Sequence, residues 1–172
     1  MPRIAALTPD QAPAGSHAAL EAVQKTFGFI PNSIKTLAHA PAALNAYLAL
    51  NQALGKSSLS TAEREVVALA TSEVNECNYC VTAHSFFGKK AGLSESDVGR
   101  ARSGELNALA ALVRQIAQSR GQLTDAQIAA AHEAGLTDRK IVEVVAHVTL
   151  LTLSNYLNNI ADPDVDFPPS AR

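Results

Sequence analysis

The chain has 172 residues, a length that fits one domain of ~150 residues and buries roughly 70% of its unfolded surface without a disulfide or metal. With 14 Lys+Arg against 16 Asp+Glu, a formal net charge of −2 and no basic run longer than Lys89-Lys90, it lacks a nucleic-acid binder's footprint. Hydrophobic residues reach 47% and charged residues only 17%, which leaves apolar helix surface for subunit contacts and predicts an oligomer.

In chain order, residues 1–15 read as an N-terminal arm. They carry Pro2, Pro9 and Pro13 and no apolar run of signal-peptide length, so a cytoplasmic location is expected. A helix over about 16–27 stops at Gly28, and Phe29-Ile30-Pro31-Asn32 forms a turn. A short helix over about 32–39 follows, and Pro41 opens another to about Leu54. The next helix starts follow one grammar: Leu59-Ser60, Leu93-Ser94, Leu123-Thr124 and Leu136-Thr137. Each Ser or Thr is an N-cap accepting from an otherwise unpaired helical N–H. Glu63 and Gln127 complete capping boxes, Asp97 makes a shorter acidic one, and Lys140 makes none. These starts predict helices near 60–75, 77–91, 94–102, 105–119, 124–134 and 137–160. No alternating strand pattern appears, so the fold class is all-α, with one domain over 16–161 and an extended, mobile tail over 162–172. The greasiest stretch, Ile141 to Leu157, is broken by Glu143, His147 and Asn155 and reads as a buried helix rather than a membrane span.

The only two cysteines stand three apart in Cys77-Asn78-Tyr79-Cys80, a separation that chance gives roughly once in a hundred times at this length. His84 follows one turn later. At 100° per residue Cys77 lies at about 0°, Cys80 at about 300° and His84 at about 340°, one strip shared with Val81 and Phe87. The thiols and the imidazole therefore point into apolar surroundings. A first-turn position for Cys77 favours thiolate through the helix dipole, while His84 at contact distance favours ionisation of Cys80. Which sulfur attacks first stays open on this ground. Glu65 lies at the edge of the preceding helix's buried stripe, where a carboxylate needs a partner, and His84 meets it if the two helices pack antiparallel. Two rival readings use the same cluster: a metal site of Cys77, Cys80 and His84 with Glu65 or His147, and a redox-sensing module without turnover. Glu143 and His147, one turn apart, are expected to make structural bonds or subunit contacts. Asn155, Asn158 and Asn159 are expected to cap or bridge helices, and Phe27, Phe29, Phe86 and Phe87 to form core or site walls.

The pattern of Glu65, eleven intervening residues, then Cys77-x-x-Cys80-x-x-x-His84 resembles the alkylhydroperoxidase D core of the carboxymuconolactone decarboxylase superfamily. Gly92-Leu93-Ser94 after the cysteine helix is similar to that family. The Phe29-Ile30-Pro31-Asn32 turn with Pro41 is similar to its peroxidase-related subgroup. The resemblance is strong over about 57–103 and looser over the first 55 residues. It implies an all-helical subunit in trimers or hexamers and a peroxidase that reduces hydroperoxides. Cys80 would be oxidised to a sulfenic acid and resolved by Cys77, with Glu65 and His84 relaying protons. It implies no bound cofactor, and a dithiol reductant on a lipoylated or thioredoxin-like protein. Tyr79 stands where alkylhydroperoxidase D has a relay histidine, and a phenol does not titrate near neutrality, so a thinner relay is expected. The superfamily's decarboxylase branch lacks the cysteine pair. A non-redox small-molecule reaction is the remaining alternative.

Overall fold

Four N-caps set the frame. Ser60, Ser94, Thr124 and Thr137 each accept a hydrogen bond from the backbone N–H three residues on, opening α4 (Thr61–Val74), α6 (Glu95–Ser103), α8 (Asp125–Glu133) and α9 (Asp138–Ala161). The computed structural model describes residues 1–168. Among these the remaining helices are α1 (Ala14–Phe27), α2 (Asn32–Leu37), α3 (Pro41–Leu54), α5 (Asn78–Lys90) and α7 (Ala108–Ser119), with a 3₁₀ turn at Pro9–Gln11 and no strand. The chain is all-α. Gly92 and Gly135 take positive φ just past α5 and α8, the left-handed conformation that lets the closing N–H groups turn back onto the helix end.

Two starts differ from the sequence pattern. Helix α1 begins at Ala14, just past Pro13. Helix α7 begins at Ala108 because the Asn107 side chain accepts from Ala110 N–H, leaving Glu105 and Leu106 in the preceding loop.

Helix α4 is the central element. Residues 66–72 are all buried, so it is covered on every side, as an apolar helix inside a bundle must be. Its Val66, Val67, Leu69 and Ala70 form the main core with Val98, Leu109, Val113, Val144 and Val148 from α6, α7 and α9. A second cluster, Leu20, Val23, Ile34, Leu37 and Leu44, ties α1, α2 and α3 together.

Helix α9 is buried on one face only. Val144, His147, Leu151, Asn155 and Asn158 face inward, whereas Val142, Val145, Leu153, Tyr156 and Ile160 form an exposed apolar stripe at helical spacing. Glu143 and His147 do not pair with each other. Glu143 accepts from the Ser58 N–H and hydroxyl, and His147 Nε2 bonds Ser57 Oγ at 3.1 Å, so the two staple the α3–α4 loop to α9. No helix among the described residues is long and apolar enough to cross a membrane.

Residues 3–4 and 164–167 are docked rather than loose. Arg3 and Ile4 N–H groups donate to the Ala161 carbonyl at the end of α9. From Asp162 the chain is extended, as its prolines predict, but it is not free as far as residue 168. Asp166 Oδ2 accepts from Asn32 N–H at 2.8 Å, Asp164 O accepts from Asn32 Nδ2 at 2.9 Å, and Phe167 is buried. Pro169, also placed in the tail from sequence, lies outside the described residues.

Candidate active site

The site is built on the turn between α4 and α5. Asn75 ends α4, and Glu76 takes φ +52°, a left-handed conformation that costs a non-glycine residue of order 1 kcal/mol or more. That turn lets Glu76 N–H reach Glu73 O and Cys77 N–H reach Ser72 O at 2.9 Å, closing the last turn of α4. Cys77 is therefore the N-cap of α5, one residue ahead of the first-turn position expected from sequence, and its Sγ accepts from Cys80 N–H at 3.3 Å. Helix α5 then returns along α4. A Cβ on Gly88 would meet Glu65 and Leu69 of α4 at 3.7 Å, ordinary contact, but would press on Leu93 Cδ1 at 3.2 Å.

The antiparallel return brings His84 onto Glu65. His84 Nδ1 and Glu65 Oε2 are 2.8 Å apart, with both side chains partly buried. Burial would push the imidazole pKa down, but the carboxylate's charge and hydrogen bond, with the charge on Cys80, raise it above the ordinary histidine value. The bond puts the proton on Nδ1 and leaves Nε2 as the exchanging nitrogen.

Both cysteines are free thiols, buried and in contact, with Sγ atoms 2.6 Å apart. They are electrostatically unequal. The Cys77 thiol gives its hydrogen bond to Cys80, which holds Cys77 protonated well above the ordinary range, with burial acting the same way. Cys80 receives that bond and moves down to about 6, against the effect of burial, helped by His84, Asn158 and Asn155. The dipole argument for Cys77 is thus outweighed by the direction of one S–H bond.

Sequence reasoning placed Asn158 among bridging residues and missed its contact with sulfur. Asn158 Nδ2 lies 3.2 Å from Cys80 Sγ, while its Oδ1 is buried without a partner. Asn155 bridges helices as expected, donating to Ser72 Oγ at 3.1 Å and accepting from Asn75 Nδ2 at 2.9 Å. Tyr79 does not join the Glu65–His84 pair. Its hydroxyl donates to Asp166 Oδ1 at 2.7 Å and accepts from Ser33 N–H at 3.3 Å, with the phenol pKa raised by burial.

Cys80, His84 and Glu65 open onto a cavity of about 260 Å³ whose other walls are mainly apolar, among them Ile34, Leu48, Phe87 and Phe167. Of the expected aromatic walls, Phe27 and Phe87 line it, while Phe29 and Phe86 pack behind Phe167. Tyr47, a lining residue not singled out from sequence, is raised to about 12 by burial. His147 is held at Ser57, and among the described residues no group of three or more His, Cys, Asp or Glu side chains has metal-holding geometry.

Comparison with known proteins gives the same fold from several directions. The model of the Carboxymuconolactone decarboxylase family matches residues 41–106. The alkylhydroperoxidase AhpD core of an uncharacterized peroxidase-related protein from Ralstonia eutropha JMP134 is 25% identical, with a TM-score of 0.81 over 98% of this chain and 92% of that one. An uncharacterized peroxidase-related protein from Silicibacter sp. TM1040 is 22% identical, with a TM-score of 0.78 over 96% and 94%. The debrominase Bmp8, solved as a cysteine-to-alanine variant in complex with 2,3,4-tribromopyrrole, is 18% identical, with a TM-score of 0.77 over 95% and 91%. A search of curated proteins finds no match. Residues 41–106 are thus similar to the Carboxymuconolactone decarboxylase family, and the chain as a whole has the fold of the alkylhydroperoxidase AhpD core.

Proposed function

We propose that the protein is a thiol-dependent peroxidase that reduces organic hydroperoxides. The Cys80 thiolate attacks the terminal oxygen of R–O–O–H, and the O–O bond breaks. Cys80 becomes a sulfenic acid, and the departing alkoxide takes a proton from His84 directly or through water. Cys77–SH then attacks the sulfenic sulfur, giving the Cys77–Cys80 disulfide and one water. A dithiol on a lipoylated or thioredoxin-like protein reduces that disulfide and is itself oxidised. Glu65 keeps the His84 ring oriented and its pKa high. The observation that carries this reading is the pairing of an acidified Cys80, facing an apolar cavity, with a protonated neighbour in Cys77 poised to resolve it.

The subunit assembles with copies of itself, as a trimer or hexamer, through the apolar stripe of α9. It works in the cytoplasm, where reductants keep buried cysteine pairs as thiols. The fold shared with a debrominase, together with the aromatic lining of the cavity, favours one second reading. In it a carbon–halogen bond becomes carbon–hydrogen, halide leaves, and the same two thiols become the disulfide.

Addition of one equivalent of cumene hydroperoxide to the reduced protein should consume two thiols and yield one alcohol. The variant Cys80→Ser should consume neither peroxide nor thiol. Retained turnover in Cys80→Ser removes the assignment, and halide release from a bromopyrrole without peroxide turnover moves it to the second reading.

A further inference from the structure

The cavity that receives Cys80 is closed on one side by a residue far along the chain from the cysteine motif. Phe167 lies in the extended segment after α9, yet it is only 9% exposed and belongs to the same buried cluster as Cys77, Tyr79, Cys80 and Ala83. Its ring centroid lies 5.4 Å from Phe87, 5.7 Å from Phe29 and 5.8 Å from Tyr79, all edge-on, which is the favourable arrangement for aromatic quadrupoles.

An extended segment outside any helix does not hold a phenyl ring in place unless its backbone is anchored. Here the anchor is the preceding residue. The two carboxylate oxygens of Asp166 are divided between the Tyr79 hydroxyl on α5 and the Asn32 N–H at the start of α2. Asn32 Nδ2 fastens the Asp164 carbonyl as well. Tyr79 immediately precedes Cys80, so one residue couples the cysteine motif to the strap that covers it.

We infer that Phe167 is the specificity-determining wall of the Cys80 cavity, held by a Tyr79–Asp166–Asn32 clasp, and that it fits the site to compact apolar hydroperoxides. A volume of about 260 Å³ equals that of roughly nine waters of liquid. That suits a ring with a short branch, and Phe167 takes up space beside Cys80 that a long acyl chain would otherwise use. It also leaves hydrogen peroxide without the apolar contacts that bind an organic group. Tyr79 acts as a positioning residue: its hydroxyl orients Asp166 and takes no part in moving protons.

The inference rests on the peroxidase reading, so its test has one arm that does not. Rates of thiol loss are measured with hydrogen peroxide, cumene hydroperoxide and linoleic acid hydroperoxide for the wild type, Phe167→Ala, Phe167→Leu and Tyr79→Phe. The preference for cumene hydroperoxide over hydrogen peroxide should fall about tenfold in Phe167→Ala, chiefly through KM, because one lost group in an apolar pocket changes discrimination by that order. Linoleic acid hydroperoxide should gain relative to cumene hydroperoxide. Phe167→Leu, which keeps an apolar wall if alanine unsettles the fold, should shift both ratios in the same direction by less. Tyr79→Phe should also shift both ratios while leaving the pH profile in place. Unchanged ratios in Phe167→Ala and Phe167→Leu overturn the inference, and a moved pH profile in Tyr79→Phe puts Tyr79 back in the proton relay. The independent arm compares alkylation by iodoacetamide and by the bulkier monobromobimane. Phe167→Ala should speed bimane relative to iodoacetamide even if no hydroperoxide reacts, in which case the peroxidase reading has failed and the wall has not.

Discussion

Asn158 on α9 donates through Nδ2 to the Sγ of Cys80 on α5, across 3.2 Å. The bond joins the last helix to the cysteine motif and places a neutral donor on the sulfur that is held at about 6. A hydrogen bond to the charged form favours that form, and in a buried setting such a bond is stronger than between neutral groups.

Replacing Asn158 by leucine, close in volume and unable to donate, should therefore raise the Cys80 ionisation by about one to two pH units, since hydrogen bonds to charged groups contribute about 1.5–3 kcal/mol. The ultraviolet absorbance of the thiolate during a pH titration reads this directly. An unmoved titration would mean that the Cys77 S–H, His84 and Asn155 acidify Cys80 without Asn158. The same variant removes the unpartnered Oδ1, so its fold should not be destabilised as strongly as the loss of a bond suggests.

The Glu65–His84 pair predicts the shape of the pH–rate profile. Cys80 ionises near 6, so kcat/KM for hydroperoxide rises as pH passes that value. The acid form of His84 is lost only above the ordinary histidine range of ~6.5, because the Glu65 charge raises its pKa against burial. The alkaline limb therefore lies above that value. Glu65→Gln leaves burial opposed only by the Cys80 charge, so the alkaline limb should move to lower pH and the maximum should fall by about tenfold or more. An alkaline limb that stays in place would remove Glu65 from the relay.

Much of this was legible in the sequence because it is local. The caps at Ser60, Ser94, Thr124 and Thr137 act over three residues, and the helix starts they predict are present. The Cys77, Cys80 and His84 strip follows from helical periodicity, and Glu65 joins it across a single turn between consecutive helices. What pattern reading missed acts over long separations. The Asn158–Cys80 bond spans 78 residues and the Tyr79–Asp166 bond spans 87. An amide in a helix or an Asp-Phe pair in a proline-rich tail carries no local mark of what it will touch. Periodicity also could not assign the two faces of α9, since both are apolar and only one is covered within the chain.

That uncovered face sets the next expectation. Val142, Val145, Leu153, Tyr156 and Ile160 are from 43% to 69% exposed, a contiguous apolar stripe of the sort that marks an interface. Sedimentation of the wild type should give a mass several times the 18.0 kDa of one chain. Val145→Glu combined with Ile160→Glu should release lighter species by placing unpaired charge in the contact. A wild type that sediments at the chain mass would show that the stripe is not a self-association surface.

Asn155 offers a test of what holds the active-site turn in shape. It is fully buried, donates to Ser72 Oγ and accepts from Asn75 Nδ2, so one amide fastens the end of α4, where the chain turns into Cys77, to α9. Asn155→Ala removes both bonds, leaves the Ser72 hydroxyl without its donor and opens a small void. Stranded buried polar groups are costly, so the loss should be about 2–3 kcal/mol, seen as a fall in Tm of roughly 5–10 °C for a chain of this size. Leu44→Ala, in the cluster of α1, α2 and α3, should destabilise by a similar or larger amount, about 2–5 kcal/mol. The two variants should nevertheless differ at the sulfurs. Asn155 also helps hold the Cys80 pKa down, so Asn155→Ala should raise the thiol titration, whereas Leu44→Ala should leave it in place at temperatures where both proteins remain folded. Equal titrations in the two variants would show that the amide supports the turn only as packing.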